Sequence, residues 1–581
     1  MNAWWHRFAL VGSLGGLWAA PAVAQRVQPV PAAEGSASSF QDVVHTYLVN
    51  VEVWVADGRG RPIAGLTAAD FELFEDGEPV EVTHFAETRG RSLPTASLAP
   101  LPGAPEGTAP ADEGGHLVLY FDFTHLSQAG AQQIVRDLRK FISSEKVPAS
   151  QIMILAQDRA LATVAPFGST PEQLEATLDS LAEADPVGAL TDREKRLALK
   201  RLQHDWDLEK QVPGRDPCER FVPRALAEIE DFAARRSDRV RNTLDSLAAV
   251  AGYLSALPGL KTLIYLGDQL ETTPGRGMLT FIDAVCPPAL RDDLTLELSV
   301  DLVDRFEHLT AHANTNRVTF YPFQTGGLET SLLMSAEMPS TDFLSRGGLI
   351  DASMRGNERT GLAFIAAQTG GRTVFNRNRF ETELATVAEE MESYYSLAYV
   401  PPHGGDGRTH RIEVKVRDGV SHSPGGPPAK RVEVRYRRGY RDKGDDVRMA
   451  ERIEAVAHLG LVSNPLEVRL GAGSLELQED GTYRLPLHVL VPSGKPTYLP
   501  GAEAPQAQLE LVATAYDAQD QVVFSTRSNF EVGQPPAGEP TTLDLVADLQ
   551  IGPGRHVVVV GLRDRLSREA SYVSTAVEIA H

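Results

Sequence analysis

Five consecutive apolar side chains, Leu117-Val118-Leu119-Tyr120-Phe121, run directly into an acid, Asp122. A strand with no polar face has to be covered on both sides, which places it at the centre of a parallel sheet. Hydroxyls follow at Thr124 and Ser127, and then Ile134, Leu138, Phe141 and Ile142 recur at helical spacing. A carboxylate and hydroxyls at the end of a central strand stand where open α/β sheets place their ligands. Such hard oxygens suit Mg²⁺, Ca²⁺ or Mn²⁺. The simpler alternative is that Thr124 or Ser127 only caps the helix.

Strand and helix patterns continue to alternate after this point. Ile152–Ala156 and Leu161–Pro166 read as strands and Pro171–Ala184 as a helix. Thr191 with Glu194 forms a capping box, and a long helical pattern runs from Arg224 to Ala256. Lys261–Asp268 is a second buried strand ending in an acid, and Asp268 should share a sheet edge with Asp122. Val318–Pro322 is a further strand, residues 325–356 read as a long loop, and a helix covers Asn357–Gln368. Thr373–Phe375 reads as a sixth strand. The expected core is a doubly wound, Rossmann-like α/β domain over 116–402, with insertions at about 185–236 and 273–300.

Both flanks are patterned differently. Val51, Val53 and Val55 alternate with Glu52 and Trp54, and turns at Asp57-Gly58 and Asp76-Gly77 make 45–90 a small β-sandwich module. Residues 91–115 are a linker rich in Pro, Ala and Gly. Residues 410–440 read as a β-hairpin, and 447–581, with about seven short strands, as an immunoglobulin-like β-sandwich.

Taken together, these segments resemble the bacterial von Willebrand factor A (VWFA)-related proteins of the acidobacterial type. The likeness spans about 45–440 and is carried by VEVWVADGRGRPIAGLTAADFELFEDGEPVEVTHF, AAQTGGRTVFN, ESYYSLAYVPP and RIEVKVRDGV with VRYRRGY. The family's metal-ion-dependent adhesion site carries Asp-x-Ser-x-Ser. Here Thr124 replaces the first serine, Leu126 occupies the second position, and Ser127 falls one residue late. By the same resemblance Asp268 completes the site, with Thr243, or else Thr191, as the intervening threonine. The resemblance implies an A domain preceded by a β module in an exported bacterial protein of undefined function. The expected role is binding or adhesion to a protein partner at the Asp122/Asp268 edge, with a degenerate Mg²⁺ site; the alternative is a metal-independent structural or assembly scaffold of the cell envelope, and a hydrolase ranks below both.

Composition narrows the classes. A formal charge of −22 and a pI near 5.2 argue against nucleic acid as a partner. Arg7, the apolar run Phe8–Ala20 and Ala22-Val23-Ala24 read as a signal peptide cleaved after Ala24, giving a secreted or periplasmic protein with no later membrane span. Cys218 and Cys286, 68 positions apart, are two buried thiols or one disulfide, and export favours the bridge. Closing that loop stabilises by about 4 kcal/mol in the chain-entropy model. Neither H-E-x-x-H nor G-x-S-x-G occurs, His125, His204, His308 and His312 are scattered, and no enzyme is expected. The insertions carrying the two cysteines are expected to pack as a cap beside the ligand edge.

Overall fold

The chain divides into two units, the first of which holds both the apolar strands of the α/β part and alternating strands on either side of it. This first unit holds residues 43–448; the other joins the N-terminal strand β1 (Ala24–Val27) to residues 449–581. The computed structural model describes residues 24–27, 48–89, 115–184, 186–257, 259–287, 302–326, 341–403, 406–417, 419, 431–499, 505–535 and 541–579. The signal segment up to residue 23 and all of the linker expected at 91–115 except residue 115 lie outside them.

In the first unit, residues 48–89 give β2 (Val49–Asp57), β3 (Phe71–Glu75), β4 (Glu78–Val80) and β5 (His84–Arg89). The α/β part follows with β6 (His116–Asp122), α1 (Gln128–Ser143), β7 (Ile152–Gln157), β8 (Leu161–Ala165), α2 (Pro171–Glu183), α3 (Gly188–Glu209) and α4 (Pro217–Tyr253). It continues through β9 (Lys261–Leu266), α5 (Arg276–Val285), α6 (Val303–Thr315), β10 (Val318–Phe323), α7 (Thr341–Thr369) and α8 (Glu381–Glu392). Its sheet has the order β10-β9-β6-β7-β8 and is parallel except for the β7–β8 pair. Leu117, Leu119 and Phe121 share a core with Ile134 and Leu138 of α1, Leu178 of α2 and Leu384 of α8. Tyr120 and Asp122, on the opposite face by strand alternation, meet α4, where the Thr243 hydroxyl donates to Asp122.

The alternation at 45–90 predicts a self-contained module, and the structure corrects this. After α8 the chain forms β11 (Ser393–Tyr399), β12 (Thr409–Val416), β13 (Val432–Tyr436) and β14 (Gly439–Arg441). These strands join the first four in two sheets, β13-β2-β11-β5 and β14-β12-β3-β4. Val51, Val53, Phe71 and Leu73 share one core with Leu397, Tyr399, Ile412 and Val414. Some fifty residues bury too little surface to close two sheets alone, so the partners come from beyond the α/β part. β12 and β13 therefore lie in different sheets and are not a hairpin.

Other local expectations change too. The helix expected from Asn357 starts at Thr341, inside the stretch read as a loop, and Met354 on it packs beside α5 residues Met278 and Phe281. Thr191 lies within α3, which begins at Gly188, so it is not the cap. Val374 makes a single bridge to Phe323 rather than a full strand.

The second unit opens with α9 (Asp445–Leu459), where an all-β segment was expected. Met449, Ile453 and Val456 line one face of the helix at spacings of four and three, and that face covers Val512, Tyr516, Val559 and Tyr572. β15 (Arg469–Ala472), β16 (Glu476–Leu477), β17 (Tyr483–Pro492), β18 (Gln506–Tyr516), β19 (Val522–Gly533), β20 (Thr542–Ile551), β21 (Gly554–Asp564) and β22 (Ala570–Ile579) follow. One sheet runs β1-β20-β17-β15 with β16 on β17, and the other β19-β18-β21-β22. Leu485, Leu487 and Val489 share a core with Leu509, Leu511 and Val560 of the other sheet.

Candidate functional site

Two constellations of polar side chains stand out in the first unit. The first is the edge formed by the ends of β6 and β9. Asp122 is fully buried there. Its Oδ1 accepts from the Thr124 backbone N–H at 3.0 Å and from the Thr124 hydroxyl. Its Oδ2 accepts from the Tyr265 hydroxyl at 2.7 Å and the Thr243 hydroxyl at 3.1 Å, and lies 2.7 Å from His125 Nδ1. Burial pushes the Asp122 carboxyl up, but His125 and the hydroxyls of Thr124 and Tyr265 reverse this and hold it below the usual carboxylate range. Burial and the adjacent Asp122 carboxylate push the Tyr265 phenol well above its ordinary value, so it remains a donor.

Asp268 completes the edge. Its Oδ1 accepts from the Thr325 hydroxyl at 2.7 Å and its Oδ2 from the Ser127 backbone N–H at 3.0 Å, while its own N–H donates to the His125 carbonyl at 2.9 Å. The structure thus gathers Thr124 and Thr243 on Asp122, and Ser127 on Asp268 through the backbone. The Ser127 hydroxyl instead accepts from the Gly130 N–H at 3.2 Å and caps α1. Sequence reasoning missed three members, His125, Tyr265 and Thr325. Their signal was position alone: His125 just after β6, Tyr265 within β9 and Thr325 just after β10.

This arrangement fits a divalent ion poorly. A carboxylate offers about four lone-pair positions, and Asp122 already meets five hydrogen-bonding groups. Leu126, where a second serine would stand, is fully buried. The start of α3 is pressed onto it: the N–H groups of Val187 and Gly188 donate to the Phe123 carbonyl, and a Cβ at Gly188 would come within 2.2 Å of the Leu126 carbonyl oxygen. The imidazole of His125 already stands against the carboxylate, its Nδ1 2.7 Å from Oδ2.

The Cys218–Cys286 disulfide bridges the first turn of α4 and the end of α5, with an S–S distance of 2.09 Å and Cα atoms 5.7 Å apart. Beneath it, residues of α3, α4 and α5 share one core, including Leu199, Leu202, Phe221, Ile229 and Phe281.

The second constellation lies in the two-sheet part and has no counterpart among the sequence-derived candidates. Glu75 ends β3, Asp76 occupies the following turn at φ 50°, His403 and Asp406 flank the approach to β12, His410 lies in β12, and Asp442 follows β14. The imidazoles of His403 and His410 stack with centroids 3.6 Å apart at 14°. His403-x-x-Asp406-x-x-x-His410 was a visible cue, but Glu75 and Asp76 come from more than 300 positions earlier.

No family model matches the chain, and no curated protein matches it. Among solved structures, a Bacteroides uniformis β-glucuronidase is 12% identical, with a TM-score of 0.15, over 32% of this chain and 19% of that one. The chain thus spans about a fifth of that protein's length. A structural-genomics target, SoR45, is 12% identical with a TM-score of 0.14, over 20% of this chain and 88% of that one. At these scores neither likeness bears on fold or activity.

Proposed function

We propose that this is an exported binding protein whose α/β part is a doubly wound, VWFA-like domain, and which engages a protein partner at the β6/β9 edge without a metal ion. The flanking sheet pairs are read as β-sandwich modules, the C-terminal one immunoglobulin-like, that present this domain. Support for the fold reading comes from the sheet order β10-β9-β6-β7-β8 with helices on both faces. Support for export comes from the leader-like N-terminus and the disulfide, and among the described residues no helix is long and apolar enough to cross a membrane. One observation carries the metal-free reading: every acceptor position of Asp122 is taken by the chain's own donors. His125 then supplies the balancing positive or dipolar partner that Mg²⁺ supplies in a metal-dependent edge, and no catalytic role is proposed for it.

Calorimetry of the full chain with Mg²⁺ and Mn²⁺ tests this directly. No binding that depends on Asp122 is expected in the parent, whereas His125→Gly combined with Leu126→Ser frees the carboxylate and should create it. Partner capture from an envelope fraction should survive EDTA and be lost in Ala129→Arg, which places bulk at the exposed start of α1 beside the edge. Capture that EDTA abolishes would refute the metal-free mechanism, and capture indifferent to Ala129→Arg would refute the edge as the surface.

A further inference from the structure

The cluster around His403 and His410 combines features that ordinary ion pairing leaves unexplained. Four carboxylates, from Glu75, Asp76, Asp406 and Asp442, converge on two imidazoles. His410 Nδ1 lies 2.8 Å from Asp76 Oδ2, and its Nε2 lies 3.2 Å from Asp406 Oδ1. His403 Nδ1 lies 3.4 Å from Asp442 Oδ2, and its Nε2 lies 3.5 Å from Glu75 Oε1. Glu75 and Asp442 are 4% and 1% exposed, so their charges are withdrawn from water.

Their hydrogen bonding is incomplete. Glu75 Oε1 accepts from the Tyr399 and Tyr440 hydroxyls, each at 2.7 Å, yet its Oε2 has no partner. Asp442 Oδ2 accepts from the Asp406 N–H at 3.1 Å, yet its Oδ1 has none. His403 Nε2 also lacks a hydrogen bond of good geometry. Buried polar atoms are rarely left unsatisfied, and a bound ion is one of the few standing reasons for it. Even two protonated imidazoles would offset only two of the four carboxylates, and two stacked imidazolium rings would repel each other.

We propose that Glu75, His403 and His410 form a binding site for a divalent transition-metal ion of the zinc class, with Asp406 on its open side. One donor atom from each of the three ligands lies within 4.8 Å of the others, and the same holds for His403, Asp406 and Asp442. Ligands about 2.1 Å from a tetrahedral zinc stand about 3.4 Å apart, so small side-chain shifts close the shell. Imidazole donors favour zinc-class ions over Mg²⁺ or Ca²⁺. The remaining acids have a role of their own: Asp76 holds His410 through Nδ1 and Asp442 holds His403 through Nδ1, as carboxylates orient metal-bound histidines. His410, Asp76 and Gly407 also line an open cleft of about 810 Å³, through which an ion can enter.

The test uses the full chain stripped with chelator. Equilibrium dialysis against Zn²⁺ with elemental analysis should find one equivalent bound, and Co²⁺ should give the visible bands of a low-coordinate nitrogen/oxygen site. His403→Ala and His410→Ala should each weaken Zn²⁺ binding at least tenfold, and the double variant should abolish it. Asp122→Asn, at the other edge, should leave it unchanged. Circular dichroism separates lost binding from lost folding, and if the alanine variants do not fold, the Co²⁺ spectrum of the parent decides. No stoichiometric uptake, a Co²⁺ spectrum of the hydrated ion alone, or uptake that the double variant retains would overturn the site. Uptake abolished by Asp122→Asn alone would overturn both this site and the metal-free edge.

Discussion

Arg236 is among the largest fully buried side chains; among the described residues its counter-charge is the buried Glu271 at 3.3 Å, and no hydrogen bond there satisfies the guanidinium nitrogens. Removing one partner of such a pair leaves a bare charge in the interior, which costs far more than the pair itself contributes. Glu271→Ala should destabilise the protein by about 3–5 kcal/mol, measured by urea unfolding. Replacing both residues, with Arg236→Met and Glu271→Leu, should recover most of that loss. His312 offers a pH test. Burial, then Lys443, His308 and Arg441, push its pKa down to about 4. Between that value and the ordinary histidine value the unfolded chain binds the proton and the folded chain does not, so stability rises with pH across this window. His312→Gln should flatten the corresponding part of a pH–stability curve taken between pH 4 and 6.5. At this scale the sequence was partly legible. Asp122 and Asp268 stood out because each ends an apolar run. Neither His125's contact with Asp122 nor the burial of Leu126 could be read: the first needs the chain to turn the imidazole back onto the strand end, and the second depends on where the start of α3 comes to rest.

Among the elements, the disulfide couples α4 to α5 over one shared core. Converting both cysteines to serine should lower stability by up to about 4 kcal/mol, and thermal melts with and without reductant should differ in the parent but coincide in the double variant. The leader-like pattern at the N-terminus and the isolated pair of cysteines made this bridge foreseeable. α9 and the first half of α7 were not. Met449, Ile453 and Val456 form a helical stripe only once a sheet is present to receive it, and the glycines at 347 and 348 disguise a helix that tertiary packing sustains.

For the whole molecule, strand patterning revealed where strands are but not which strands pair, since a period of two is the same whether the partner is ten residues away or three hundred. A fragment of residues 115–440 therefore retains the α/β sheet yet strips β11 of both its neighbours, β2 and β5, and β12 of β3. Such a fragment should show no cooperative melt for its β portion and rapid proteolysis within 393–441, whereas a fragment of 43–448 should resist.

β5 and β11 lie side by side, antiparallel, with Arg89 opposite Ser393. The chain enters and leaves the α/β part through adjacent strands, so that part amounts to a hairpin turn enlarged to a domain. Closing so long a turn adds only a few kcal/mol beyond a short one, since the entropy grows with the logarithm of length. Exchange follows from this: residues 90–392 are a cassette, and the sheet pair is a frame that could accept another insert with close-set ends. The frame would need something to cover Trp54, whose indole N–H donates to the Glu390 carbonyl at 2.9 Å, and to answer Glu52, which pairs with Arg317.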